Sequence, residues 1–374
     1  MIIRSSSSTI LVTRPFIPGL ELSERFFREA VQPILAACFP QLVYSAARLD
    51  FGSDVLGFDT PQSMDHGWGP KATLFVSDTD WLVCRDQVTK TLAEKLPYEI
   101  HGYPTNFQHG DLSASDLFAI DHGPVNHGVT VTTTKRFFEN YIGFDPTQPI
   151  DEVSWLVVPQ QRLRTIASGR VFHDGLHQIQ VLRAALAWYP HDMWLYLLAN
   201  QWRRIDQEEP FMARCGDAGD EPGSRLVAAR LVTELMRLGF LMERQYAPYM
   251  KWLGTAFSRL VCAGQLIPIF QRVFDSASWK EREQHLSDAY VIMIEQHNAL
   301  HLTPSIAPEV TLFFERPYWV PHAERLVDAL HGQMTSPAIK ALPRYVGAVW
   351  QFADSTDVLD SLEKCQSLAA AIYG

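Results

Sequence analysis

The stretch from Ser224 to Glu243, SRLVAARLVTELMRLGFLME, is apolar nearly all round. A helix of that kind has no face to give to solvent and is stable only when other helices surround it. The residues beyond 175 supply candidates. Helical spacing recurs over 176–188, 191–208, 223–245, 247–265, 278–299, 321–332 and 336–372, with Pro, Gly or Asp turns between the segments. The second half of the chain is therefore expected to be an all-helical bundle.

The first half is patterned differently. ELSERFFREAVQPILAAC (21–38) carries apolar residues at helical spacing, with Pro33 as a kink or break. QLVYSAARLDFGSD reads as a strand running into a glycine turn, ATLFV (72–76) as a strand followed by the polar turn SDTD, and 84–96 as a short helix. Residues 97–128, rich in Gly, Pro, His and Asp, read as a long irregular excursion. HGVTVTTT is β-branched and alternating, hence a strand. Helices are expected over 136–147 and over SWLVVPQQRLRTIAS, and a short strand at GRVFHD. The chain of 374 residues exceeds the size at which one core stops growing. The expected organisation is α+β: an α/β domain with a small mixed sheet over 1–174 and the helical domain over 175–374.

Charge and cysteine usage narrow the function classes. A net charge of −10 argues against a general phosphate-backbone binder, which needs clustered Lys and Arg. Five scattered cysteines without CxxC spacing indicate neither a disulfide framework nor a zinc site. The N-terminal apolar stretch is too short for a signal peptide, and no later run is long and uncharged enough for a membrane span. A cytoplasmic protein, monomeric or homodimeric, is expected, with neither nucleic acid nor membrane as a partner.

Chemistry is concentrated in GSDVLGFDTPQSMDHGWGP, where Gly52-Ser53 precedes Asp65 and His66. Two divalent ions in phosphoryl transfer need hard oxygen ligands, and two carboxylates separated by one residue share one face of a strand. Asp65 suits the first such position, but Gly67 stands at the second, and His66 would point the other way.

That stretch, together with QQRLRTIASGRVFHD and above all the long helical stretch from Trp188 to Leu260, resembles the bacterial family labelled domain of unknown function 4037 over most of residues 40–262. The resemblance implies a nucleotidyltransferase-like fold of the polymerase-β type. In that superfamily a Gly-Ser turn cradles the triphosphate, which gives Gly52, Ser53 and His66 a nucleotide-binding role and Asp65 a metal and catalytic one. The third metal carboxylate of such enzymes lies on a later strand. The matching strand here, Val129–Thr132, offers hydroxyls instead, with Asp151 and Glu152 as substitutes only if that strand is misassigned.

The helical half is dense in Arg, Glu and aromatic residues that would either line a substrate cleft or form interhelical ion pairs. From these Glu209 is taken as a general base and Lys251 as a phosphate ligand. His101, His109, His122 and His127, and His173-Asp174 with His177, form no convincing metal set; Asp174 reads equally well as a helix cap. The resulting expectation is a nucleotidyltransferase that moves a nucleotidyl group from an NTP to a small-molecule hydroxyl with Mg²⁺. The alternatives are a degenerate nucleotide- or partner-binding protein and a biosynthetic enzyme that has reused the fold.

Overall fold

The computed structural model describes residues 15–64, 67–108 and 117–374. The chain divides into two compact units: Met1–Glu139 with Thr165–Ala184, and Asn140–Arg164 with Ala185–Gly374. The fold is α+β, with small sheets and a helical C-terminal region.

Unit 1 is built on a four-stranded mixed sheet. Its strands are β1 (Tyr44–Arg48), β2 (Lys71–Val76), β5 (Gly128–Thr132) and β6 (Arg170–Asp174), in the order β5-β2-β1-β6. A two-stranded ribbon of β3 (Glu99–Ile100) and β4 (Tyr103–Pro104) lies in the excursion between β2 and β5. β1 runs antiparallel to both β2 and β6, whereas β2 and β5 are parallel. All six positions of β2 are buried, Lys71 and Thr73 included. Ala72, Leu74 and Val76 face a core shared with the helices 19–38 and 78–95, while Phe75 meets Phe137, Leu49 and Ile179 on the other side.

Pro33 acts as expected, and the local geometry shows how. The helix Gly19–Phe26 passes through a π-helical turn, Phe27–Val31, before Gln32–Cys38, and the Gln32 N–H donates to the Phe27 carbonyl. The wider turn absorbs the donor that proline lacks. SDTD is not a separate turn. Ser77 caps a longer helix, Asp78–Lys95, by accepting from the Asp80 N–H, and acidic residues occupy the first turn. SWLVVPQQRLRTIAS likewise forms two helices, Glu152–Val157 and Gln160–Ser168, because Pro159 ends the first and opens the second.

Asp59 fixes the start of the first helix. Its Oδ2 accepts from the Gly19 N–H at 2.6 Å and from the buried Trp68 Nε1 at 2.9 Å. Asp59→Ala is expected to cost about 2 kcal/mol, one helix-cap bond plus one stranded indole N–H. Urea unfolding with a unit-1 probe such as Trp68 fluorescence measures it, and a cost below about 0.5 kcal/mol would show that other groups satisfy both donors.

Unit 2 is helical but for a small hairpin of β7 (Thr311–Leu312) and β8 (Trp319–Val320) that has no clear sequence signal. The helix His191–Asp206 packs against Glu324–Gln333 and Glu221–Met242, and the latter also meets Phe211–Asp217 and Trp279–Ala299. The helix enclosed on all sides is His191–Asp206, in which every residue from Met193 to Trp202 is buried. Glu221–Met242 is fully enclosed only over Leu238–Met242, and its earlier turns expose Arg225, Leu226 and Arg230. The segment expected at 247–265 divides into Met250–Phe257 and Ala263–Asp275. The 336–372 segment divides into four short helices, interrupted by Pro343 and the Gly347 turn. No helix among the described residues is long and apolar enough to cross a membrane.

Candidate functional site

In unit 1, β1 delivers Arg48 to the turn that contains Gly52 and Ser53. The Arg48 side chain is buried, pairs with Asp50, donates to the Phe51 carbonyl at 2.9 Å and lies 3.6 Å from Asp54. Gly52 has φ +148°, and a Cβ there would collide with the Asp54 carboxylate. Only glycine suits this position. Leu56 N–H donates back to the Gly52 carbonyl and Phe58 N–H to that of Ser53, closing a helical-type turn. Buried Lys71, at the start of β2, holds its ammonium 5.6 Å from the Phe51 ring and 5.2 Å from that of Phe107. Arg48 and Lys71 thus bring two cations to one end of the sheet, beside the glycine turn.

Asp65 and His66 lie outside the described residues, as does His109. Gly67 adopts φ +81° in a turn, and β2 begins only at Lys71, so position 67 is not on a strand. A left-handed glycine breaks the two-residue alternation on which a paired-carboxylate strand depends. Among the described residues, no group of three or more His, Cys, Asp and Glu is arranged to hold a metal ion. The histidines of the excursion have separate partners: His101 bonds Glu29, His122 pairs with Asp121, and His127 bonds the Thr89 carbonyl. Asp174 takes the capping role, accepting from Ser45 Oγ at 2.7 Å and from the Gln180 N–H at 3.2 Å. Burial raises its pKa, but these bonds outweigh that and the net direction is downward.

Glu209 and Lys251 belong to unit 2, separately from Gly52 and Ser53. Glu209 is buried, accepts from the Ala323 N–H at 3.2 Å, and has its pKa pushed up to about 8, mainly by desolvation. Lys251 is exposed, with its ammonium 5.2 Å from the Trp252 ring. Most other charges of the bundle form ion pairs between or along helices: Arg230 with Glu208, Arg203 with Glu324, and Arg204 and Arg237 with Glu234.

A cleft of unit 2, about 710 Å³ with its open mouth included, joins stretches distant in sequence. Gln160 Oε1 accepts from the Ala247 N–H at 2.7 Å, and Gln161 Oε1 from the Tyr249 N–H at 3.1 Å. The opening turn of the Gln160–Ser168 helix therefore holds the irregular Tyr246–Tyr249 segment in place. Arg162 and Arg237 line the cleft, Trp350 is part of its lining, and Asp354 and Asp360 stand exposed at its edge. The linear pattern holds no signal for Gln160, Arg162 or Trp350 as residues of one cleft.

Both glutamines and the segment they hold fall within one family match. Residues 155–253 match the model described as Domain of unknown function (DUF4037). That region contains one wall of the cleft, whereas Trp350, Asp354 and Asp360 lie outside it. The Gly52-Ser53 stretch is also outside, so the match bears out the family resemblance in the helical part and carries no argument about a nucleotidyltransferase relationship. No curated protein and no solved structure matches the chain significantly.

Proposed function

We propose that the protein binds a nucleoside triphosphate at the Gly52-Ser53 turn of a nucleotidyltransferase-like unit. The observation that carries this reading is a turn only glycine can make, at the end of β1, flanked by the buried cations Arg48 and Lys71. Backbone amides of such a turn and nearby cations attract phosphate oxygens. Transfer of the nucleotidyl group to a small-molecule hydroxyl would further require Mg²⁺ held by Asp65 and a second acid. Gly67, left-handed and without a carboxylate, favours binding without transfer.

Calorimetric titration with ATP, CTP, GTP and UTP, with and without Mg²⁺, tests both readings. One nucleotide is expected to bind, and Gly52→Ala to weaken it at least tenfold, because the added Cβ displaces Asp54 and Arg48 from the turn. Mg²⁺-dependent binding lost in Asp65→Ala would put transfer ahead of binding alone. Absence of heat with all four nucleotides would remove the proposal.

A further inference from the structure

We infer that the nucleotide of unit 1 is a purine nucleotide, with its base stacked on the exposed ring of Phe51. The inference rests on the phosphate-turn reading above and adds the half of the ligand that the turn does not contact. Phe51 immediately precedes Gly52 and is 46% exposed. Two contacts hold it in place. Its carbonyl accepts from Arg48 Nη2 at 2.9 Å, and the Arg48 side chain is buried. The Lys71 ammonium stands 5.6 Å from the centre of the ring, and Lys71 is buried whereas nearly half of Phe51 is not. The cation therefore covers the protein side of the ring and leaves the opposite side to water. Lys71 opens β2 and also meets the ring of Phe107 at 5.2 Å, so the platform is anchored to the sheet.

A ring that is ordered in advance loses little freedom when a flat partner is laid on it. Nucleobases are such partners, since each presents a π face to an aromatic side chain. The bicyclic purines overlap a phenyl ring more completely than the monocyclic pyrimidines and release more water from it. The cation behind the ring draws on its electron density and favours an electron-rich heterocycle in front. Position supplies the remaining condition. The side chain of residue 51 reaches about as far from the amides of Gly52 and Ser53 as a ribose sets a base from its phosphate, so one nucleotide can meet both.

The test compares ligands with and without a base. The full chain and its Phe51→Ala variant are titrated calorimetrically, with Mg²⁺ in excess, against ATP, GTP, CTP, UTP and inorganic tripolyphosphate. The tightest ligand of the parent is expected to be ATP or GTP, with CTP and UTP weaker by roughly threefold or more. Phe51→Ala, at a position exposed enough to spare the fold, should weaken that purine nucleotide about tenfold and leave tripolyphosphate within about twofold. Gly52→Ala should weaken both. Phe51→Trp returns a ring to the position and should bind the purine nucleotide at least as tightly as the parent. If the nucleotides and tripolyphosphate bind the parent alike, or Phe51→Ala binds the purine nucleotide like the parent, the turn holds phosphate without a stacked base. That result overturns this inference and leaves the phosphate reading standing, whereas absence of binding by all five ligands overturns both.

Discussion

Glu209→Gln is expected to stabilise the protein above neutral pH. Desolvation, with a lesser contribution from the charge of Asp206, holds the Glu209 pKa at about 8 in the folded protein, whereas an unfolded glutamate titrates near 4.5. Below about pH 4.5 the group is protonated in both states and the substitution is close to neutral. Between 4.5 and 8 the folded protein keeps a proton that the unfolded chain releases, so the parent loses stability as pH rises. By pH 7 that loss is on the order of 3 kcal/mol. Glutamine keeps an oxygen for the Ala323 N–H and has no proton to lose. Thermal unfolding of both proteins from pH 4 to 8.5 should show them converging at the acid end and separating progressively above about pH 4.5. Parallel curves throughout would mean that Glu209 is ionised in the folded protein.

His297 acts at the opposite end. Burial lowers its pKa to about 4, from an ordinary value of 6.5. The folded protein therefore holds it neutral while the unfolded chain takes up a proton, and stability is lost as pH falls through that window. Taken together, the two groups predict a stability plateau between about pH 4.5 and 6.5, with losses on either side. Glu209→Gln should remove the alkaline loss and, with the opposing slope gone, turn the plateau into a rise in stability from about pH 4 to 6.5.

The second large effect is expected at Glu234, a buried carboxylate at the centre of the helical unit. Its Oε2 accepts from Gln201 Nε2 at 2.7 Å, and its Oε1 lies 3.7 Å from Arg204 and 3.4 Å from Arg237. Both guanidinium groups are only 18% exposed. Glu234→Ala leaves two half-buried cations without their carboxylate and should cost about 3–5 kcal/mol in urea unfolding. Glu234→Gln retains an acceptor for Gln201 and should cost less. If both variants unfold within about 1 kcal/mol of the parent, water rather than Glu234 compensates the cations.

The linear pattern determined the elements that local physics controls. The strand-like ATLFV, the β-branched VTVT and GRVFHD became strands of one sheet, the first buried throughout and the other two with partly exposed positions. Helical spacing beyond residue 175 was legible for the same reason, and so was the strand-to-turn step at Gly52-Ser53. Boundaries at prolines and caps were less so: Pro159 divides a segment that periodicity alone reads as one helix, and Ser77 begins a helix six residues ahead of its clear apolar spacing. Tertiary structure decided the rest. Whether a helix is enclosed depends on how many neighbours pack on it, which is why the ten consecutive residues Met193 to Trp202 are buried and the early turns of Ser224–Glu243 are not. Which charges form ion pairs and which line a cleft depends on contacts across tens to hundreds of residues. Gln160, Ala247 and Trp350 meet in one cleft although nearly two hundred positions separate the first from the last, and a local pattern carries no record of such a meeting because the chain's return path is set by packing alone.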